Sequence, residues 1–186
     1  LGVSPIASTS MTGFGLVMGS DGQHSTSSQV TGVVHAANYG GQIAADLTVA
    51  VIAMDAAYTD ASSRVNTDAT RKNVGNGNLG GEILSPGVYT FDVGIRITSD
   101  VTFEGGPNDI FIMQTTGVLS TAVGIKVILE GGAMARNVIW QVAGNVAVGA
   151  DAQMQGVILC MTDVVFVTGS SLVGAVMAQT AVALQK

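Results

Sequence analysis

What most constrains this chain is a series of near-repeats built from short apolar strands. GVYTFDVGIRI (87–97) returns as GVLSTAVGIKV (117–127), a shift of 117 − 87 = 30. VTFEGG (101–106) returns as VILEGG (127–132), a shift of 26, and MQTTG (113–117) as WQVAG (140–144), a shift of 27. Near the end the period tightens: GVILCMTDVVF (156–166) matches GAVMAQTAVAL (174–184) with a shift of 18. The excess over 18 is assigned to polar or Gly-rich corners such as TSD (98–100) and GGPND (105–109). Added residues cost little there, because loop-closure entropy grows slowly with length. A short-strand unit that grows only at corners predicts a mainly β fold, a three-sided right-handed β-solenoid.

Three strand types separate by pattern. The first side is read as GVYTF (87–91), GVLST (117–121), GNVAV (144–148), TDVVF (162–166) and TAVAL (180–184). Strand side chains alternate between faces. The third positions, Tyr89, Leu119, Val146, Val164 and Val182, are therefore predicted to stack inward. The fourth positions, Thr90, Ser120, Ala147, Val165 and Ala183, are predicted to point out. A second side, VTFEGG and VILEGG, alternates and ends in an outward Glu. The third side, IFIM (110–113), VIW (138–140), VILCM (157–161) and AVMA (175–178), is apolar on both faces and must be covered on both.

A cover lies in residues 42–64, where Ile43, Leu47, Val51, Met54, Tyr58 and Ala61 recur at steps of 4, 4, 3, 4 and 3. That is one helical stripe, with Asp46, Asp55 and Asp60 off it. At 1.5 Å per residue the helix spans about 30 Å, close to the depth of six strands stacked at about 4.8 Å. It is predicted to lie along the solenoid axis over the third side. Within residues 1–41, QVTGVVHAA (29–37) resembles MQGVILCMT (154–162) and predicts a further coil, and the Ser/Thr/Gly-rich stretch Ser8–Ser28 predicts a loop capping an open end. Residues 65–81 read as a return loop and 82–186 as stacked coils, all within one domain, 1–186.

The chain has 186 residues, enough for one real core. Its mean hydropathy is +0.48, yet no run of about 18 uncharged apolar residues occurs, so membrane insertion is not expected. A net charge of −6 argues against nucleic acid as a partner, which needs a basic face. The single Cys160 allows no internal disulfide and sits in an apolar run, as a buried filler. The chain starts at Leu1 with neither Met nor a signal peptide, which reads as a mature or trimmed product.

Little points to chemistry. His24 lies in a polar stretch and His35 in an apolar one, not as a metal pair. Glu104 and Glu130 occupy equivalent EGG positions and are predicted to meet on adjacent coils, as a corner salt-bridge ladder with Arg96 and Lys126 rather than as the acid pair of a glycosidase. Asp21, Asp109, Asp151 and Asp163 are scattered, unlike the dense Gly-Asp repeats of calcium solenoids. No nucleophile-elbow, zincin or phosphate-loop motif occurs. No enzyme activity, cofactor or metal is expected.

What remains is the first side. Stacked strands of equal length make a plane, ruled at about 4.8 Å between strands and about 6.8 Å along them. Its outward residues are small, with Asn145 and Asp163 as exceptions. Clefts need concavity, and protein partners favour aromatic and Arg anchors. Methyls and short hydroxyls in a plane can instead order a thin water layer able to merge with a crystal of water. The reading from a different class is a structural or partner-binding solenoid module of a cell-surface adhesin; a third, a solenoid carbohydrate-active enzyme, needs an acid cluster.

LGVSPIAS (1–8), MTGFGL (11–16), AYTDA (57–61), GNLGG (77–81), LSPGVY (84–89), GGPNDIFIMQ (105–114), WQVAG (140–144) and AQTAV (178–182) together resemble the microbial ice-binding, or antifreeze, proteins. Those have a discontinuous β-solenoid and a long flanking helix, and the resemblance covers essentially the whole chain. It implies non-enzymatic adsorption to an ice crystal surface and its ordered water. It also implies freezing-point depression, inhibited recrystallisation, secretion, and action as a monomer. The candidate ice-facing residues are Thr90, Val118, Ser120, Asn145, Ala147, Thr162, Asp163, Val165, Thr180, Ala181 and Ala183. Family strands often carry T-A/G-x-T/N. Thr180-Ala181-Val182-Ala183 keeps the first two positions and Thr162-Asp163-Val164-Val165 only the first, which implies a weaker or differently oriented ice face. Family members usually begin with a further strand-rich segment before the stretch matching Leu1, so the resemblance implies a trimmed chain or an incomplete coil.

Overall fold

Parallel, in-register stacking dominates the second of two units into which the chain divides, Leu1–Ala56 and the residues from Ala57 onward. The computed structural model describes residues 1–185.

The first unit contains strands β1 (Gly2–Val3), β2 (Val17–Met18), β3 (Ser25–Ser27) and β4 (Val30–Ala36). β1 pairs in parallel with β4, Gly2 opposite His35, whereas β2, β3 and β4 run antiparallel. The stretch Ser8–Ser28 is thus more than a loop. Polar side chains stitch it: the Ser27 hydroxyl donates to the Phe14 carbonyl at 2.5 Å, and the Gln29 amide donates to the Gly13 carbonyl at 2.7 Å. β4 and β14 (Gln153–Cys160), which it resembles in sequence, each turn at a glycine. Gly32 (φ 102°) and Gly156 (φ 120°) both take a conformation that favours glycine. After them Val34 and Ala36 are buried in the same alternation as Ile158 and Cys160.

Helix α1 (Ile43–Ser63) begins in this unit. Ile43 and Leu47 are half-buried and Met54 is buried, but Val51 is 40% exposed. At about 100° per residue Val51 lies about 80° round from Ile43, the edge of the stripe, so its predicted place in the core is corrected.

The second unit runs through β5 (Ile83–Leu84), β6 (Gly87–Phe91), β7 (Ile95–Ile97), β8 (Val101–Glu104), β9 (Phe111–Thr115), β10 (Leu119–Thr121) and β11 (Val127–Glu130). It continues through β12 (Val138–Val142), β13 (Val146–Val148), β14 (Gln153–Cys160), β15 (Asp163–Phe166), β16 (Ser171–Ala178) and β17 (Ala181–Leu184). Three parallel sheets result: β17-β15-β13-β10-β7 is the first side, β11-β8-β5 the second, and β16-β14-β12-β9-β6 the third. The expected mainly β solenoid with one long helix is what the chain adopts.

One register differs. Gly87–Phe91 pairs with Phe111–Thr115 on the third side, and it is Ile95–Ile97 that pairs with Leu119–Thr121 on the first. Tyr89 and Thr90 therefore belong to the third side, and the first-side shift is 119 − 95 = 24, not 30. The 30-residue match aligned two strands of similar composition across different sides. A stricter rule holds: the step from third to first side is 95 − 87 = 119 − 111 = 146 − 138 = 8. The last coils keep it, 164 − 156 = 182 − 174 = 8. Growth concentrates at the second-to-third corner, 111 − 101 = 10 residues in one coil and 138 − 127 = 11 in the next. Where that corner shrinks, β14 and β16 bend straight through Gly156 and Gly174. A Cβ on Gly156 would lie 2.6 Å from the Val138 carbonyl oxygen, and one on Gly174 would strike the Gly156 carbonyl.

Inside, Tyr89, Met113, Trp140 and Ile158 form one buried column. Phe103 meets Phe111 and Trp140 edge-on, with ring centroids 5.2 and 5.6 Å apart. The Trp140 indole N–H, fully buried, donates to the Gln155 carbonyl at 2.9 Å.

The third side's outer face is covered by the last turns of α1. Ala61 packs with Ile112 and Leu159, flanked by Tyr58, Val88, Ile139 and Val157. The buried Gln114 amide donates to the carbonyls of Ala61 (2.6 Å) and Arg64 (2.7 Å). It thereby satisfies groups that a helix C-terminus leaves unpaired. Residues 65–81 are not a plain return loop either. Lys72 bridges to Thr90 and Asn78 to Arg96, and Leu79 is fully buried. Asn73 and Asn76 supply left-handed turns, so this stretch forms an irregular further layer beneath β6 and β7.

Ala61→Asp would bury a carboxylate against Ile112 and Leu159 and is expected to destabilise by several kcal/mol. Val51→Asp, at an exposed position, is expected to change stability by only about 0.5 kcal/mol. Melting temperatures of the two variants check this; equal values would mean that the last turns of α1 are not docked.

Candidate functional site

The first side owes its shape to what lies beneath it. Ile95, Leu119, Val146 and Val164 stack in register, each fully buried, with Ile97, Val148 and Phe166 buried beside them. The residues between them must face out. One outward row runs Arg96, Ser120, Ala147, Val165, Ala183. The next, two residues back along each strand, runs Gly94, Val118, Asn145, Asp163, Ala181. Backbone hydrogen bonds of 2.7 Å (Ile95 N–H to Val118 O) and 3.0 Å (Leu119 N–H to Asn145 O) hold the strands at this edge.

Eight of the eleven candidate residues share these two rows: Val118, Ser120, Asn145, Ala147, Asp163, Val165, Ala181 and Ala183. Three do not. Thr90 sits on the third side, its hydroxyl accepting a hydrogen bond from the Asn66 amide at 3.0 Å. Thr162 and Thr180 occupy the corner before the first side, the Thr180 N–H donating to the Thr162 carbonyl at 3.0 Å. The Thr162 hydroxyl lies 3.9 Å from the buried Cys160 sulfur, off both rows. Arg96 is the residue the sequence reading missed, and the plane is not free of charge: Arg96 stands in one row and Asp163 in the other. The constant eight-residue step from the third side is the signal that places Arg96.

Elsewhere the polar groups are structural. Glu104 and Glu130 lie side by side on β8 and β11, as expected. The ion pairs among the described residues join Asp60 to Arg64, Asp68 to Arg71, Asp92 to Lys72 and Asp21 to His24. None involves either glutamate, so the expected salt-bridge ladder is absent. Lys72 at 3.1 Å holds the Asp92 carboxyl below its ordinary pKa. Burial pushes the Cys160 thiol up, which keeps it a protonated core filler. His35 Nδ1 lies 3.2 Å from the Gln23 carbonyl. No group of three or more metal-ligating side chains converges among the described residues.

Residues 1–186 match the ice-binding-like family. The chain belongs to that family. An ice-binding protein of Flammulina populicola is 48% identical over 186 residues, all of this chain and 74% of that protein. One from Leucosporidium sp. (strain AY30) is 41% identical over 186 residues, again all of this chain and 70% of that one. Among solved structures, the ice-binding protein LeIBP from an Arctic yeast, described for its antifreeze activity, superposes with a TM-score of 0.95 at 40% identity. That match covers 100% of this chain and 79% of LeIBP. Of Thr180-Ala181-Val182-Ala183, only Ala181 and Ala183 enter the outward rows. The plane is richer in methyls than in hydroxyls.

Because the plane is assembled by apolar columns rather than ligands, chelation should not disturb it. Melting in excess EDTA and in millimolar calcium is expected to give the same midpoint; a calcium-dependent rise would identify the turn carboxylates as a site.

Proposed function

We propose that the protein adsorbs to ice through the first side of its solenoid, depresses the freezing point and slows recrystallisation. The observation that carries this reading is the pair of outward rows: Ser120, Ala147, Val165 and Ala183 in one, Val118, Asn145, Asp163 and Ala181 in the other, on strands locked in register. Such a plane presents methyls that restrict first-shell water and short polar groups that tether it. Water held on a repeat of about 4.8 by 6.8 Å can join a growing lattice. An ice front pinned by adsorbed molecules must bulge between them, and a curved front freezes at a lower temperature. The family membership and the similarity to LeIBP support the same reading.

The rows carry no aromatic side chain of the kind that anchors protein partners. They place no nucleophile beside a base, so no reaction enters the proposal. On this reading the protein works outside the cell as a single chain, in the water that freezes around it.

Ser120→Tyr and Ala147→Tyr, at half-buried positions whose side chains point outward, should lift the plane off the lattice, with the melting temperature of each variant measured alongside to show that the fold is kept. Freezing-point depression and ice-crystal faceting are expected to fall sharply in both. Glu130→Tyr, on the second side, should retain them. Full activity in the two first-side variants with loss in Glu130→Tyr would reassign the face.

A further inference from the structure

We infer that Arg96 sets the lower limit of the ice-contact plane, so that ice meets four strands, β10, β13, β15 and β17, and not the fifth. The inference rests on the proposed face and adds what bounds it. Register places Arg96 directly beside Ser120, in the row that continues through Ala147, Val165 and Ala183. Beyond it the row reaches Asn78, whose side-chain oxygen is turned aside to accept hydrogen bonds from Gly80 N–H (3.1 Å) and the Thr98 hydroxyl (3.0 Å). Arg96 is exposed, and its guanidinium forms no hydrogen bond or ion pair with the described residues.

Two properties make it a boundary rather than an anchor. Its stem is several bonds longer than Ser, Ala or Val, so upright it would hold the lattice off the plane. Its head carries five donors, no acceptor and a permanent charge. Each water in ice donates two hydrogen bonds and accepts two. A donor-only head carried that far above the plane leaves neighbouring waters without the bonds they need, whereas the Asp163 carboxylate inside the plane is half-buried, short and able to accept hydrogen bonds from water. The cheaper arrangement keeps Arg96 at the rim, in liquid water, with ice ending at β10.

The test replaces Arg96 by Ser, which copies Ser120 one strand further, and by Lys, which keeps length and charge. Thermal hysteresis and melting temperature are measured at equal concentrations. Arg96→Ser should leave melting unchanged and raise hysteresis roughly 1.25-fold, five strands in place of four, if the effect scales with contact area. Arg96→Lys should match the parent. Unchanged or reduced hysteresis in a folded Arg96→Ser variant would overturn the inference, and a reduction would make Arg96 an anchor. Ser120→Tyr, run alongside, separates the two levels: if it keeps full activity the face itself is wrong, whereas its loss with no gain in Arg96→Ser condemns only the boundary.

Discussion

Everything distinctive about the second unit depends on buried apolar columns that stay in register from coil to coil. Ile95, Leu119, Val146 and Val164 lie one above another because each first-side strand follows its third-side strand by the same eight residues. A single inserted residue at that corner would turn the strand's inward set outward. Insertions collect instead at the second-to-third corner, where they leave this corner untouched. A fixed corner gives a plane its ruling; a free corner lets the coils differ in length.

The same economy explains why so few large polar groups are needed. Third-side strands are apolar on both faces, and burying the outer one takes the helix's last turns, with the Gln114 amide tying off the carbonyl of Ala61 and that of Arg64 just past the helix end. That leaves the first side as the sheet whose outer face can stay both bare and small. Arg96 and Asp163 interrupt it, one at the end strand and one inside. A plane meant for a protein partner would tolerate such charges by pairing them; a plane meant for frozen water keeps the long one at its rim and only a short one inside.

Much of this is legible in residues. The helix could be read from Ile43, Leu47, Met54, Tyr58 and Ala61 because a 3.6-residue period leaves a visible stripe, and Val51 slipped only because it sits at the stripe's edge. The inward columns could be read from Leu119, Val146 and Val164 because strands alternate. The first coil misled because GVYTF, with its own alternation, is as good a strand as GVLST; composition does not say which side a strand occupies. Spacing to the next strand does, and IRI lies where it points. The hairpin within Ser8–Ser28 was hidden for another reason. Its strands have two and three residues, and side-chain hydrogen bonds from Ser27 and Gln29 hold it rather than an apolar pattern.

The central claim, that ice meets the first side, is tested most directly by proton magnetisation transfer from ice to the protein's methyl groups in frozen solution. The account predicts the strongest transfer at Ala147, Val165, Ala181 and Ala183, with Ile128 and Thr102 on the second side weak. Strongest transfer at Ile128 and Thr102, or at Thr9 and Thr26 in the first unit, would contradict it.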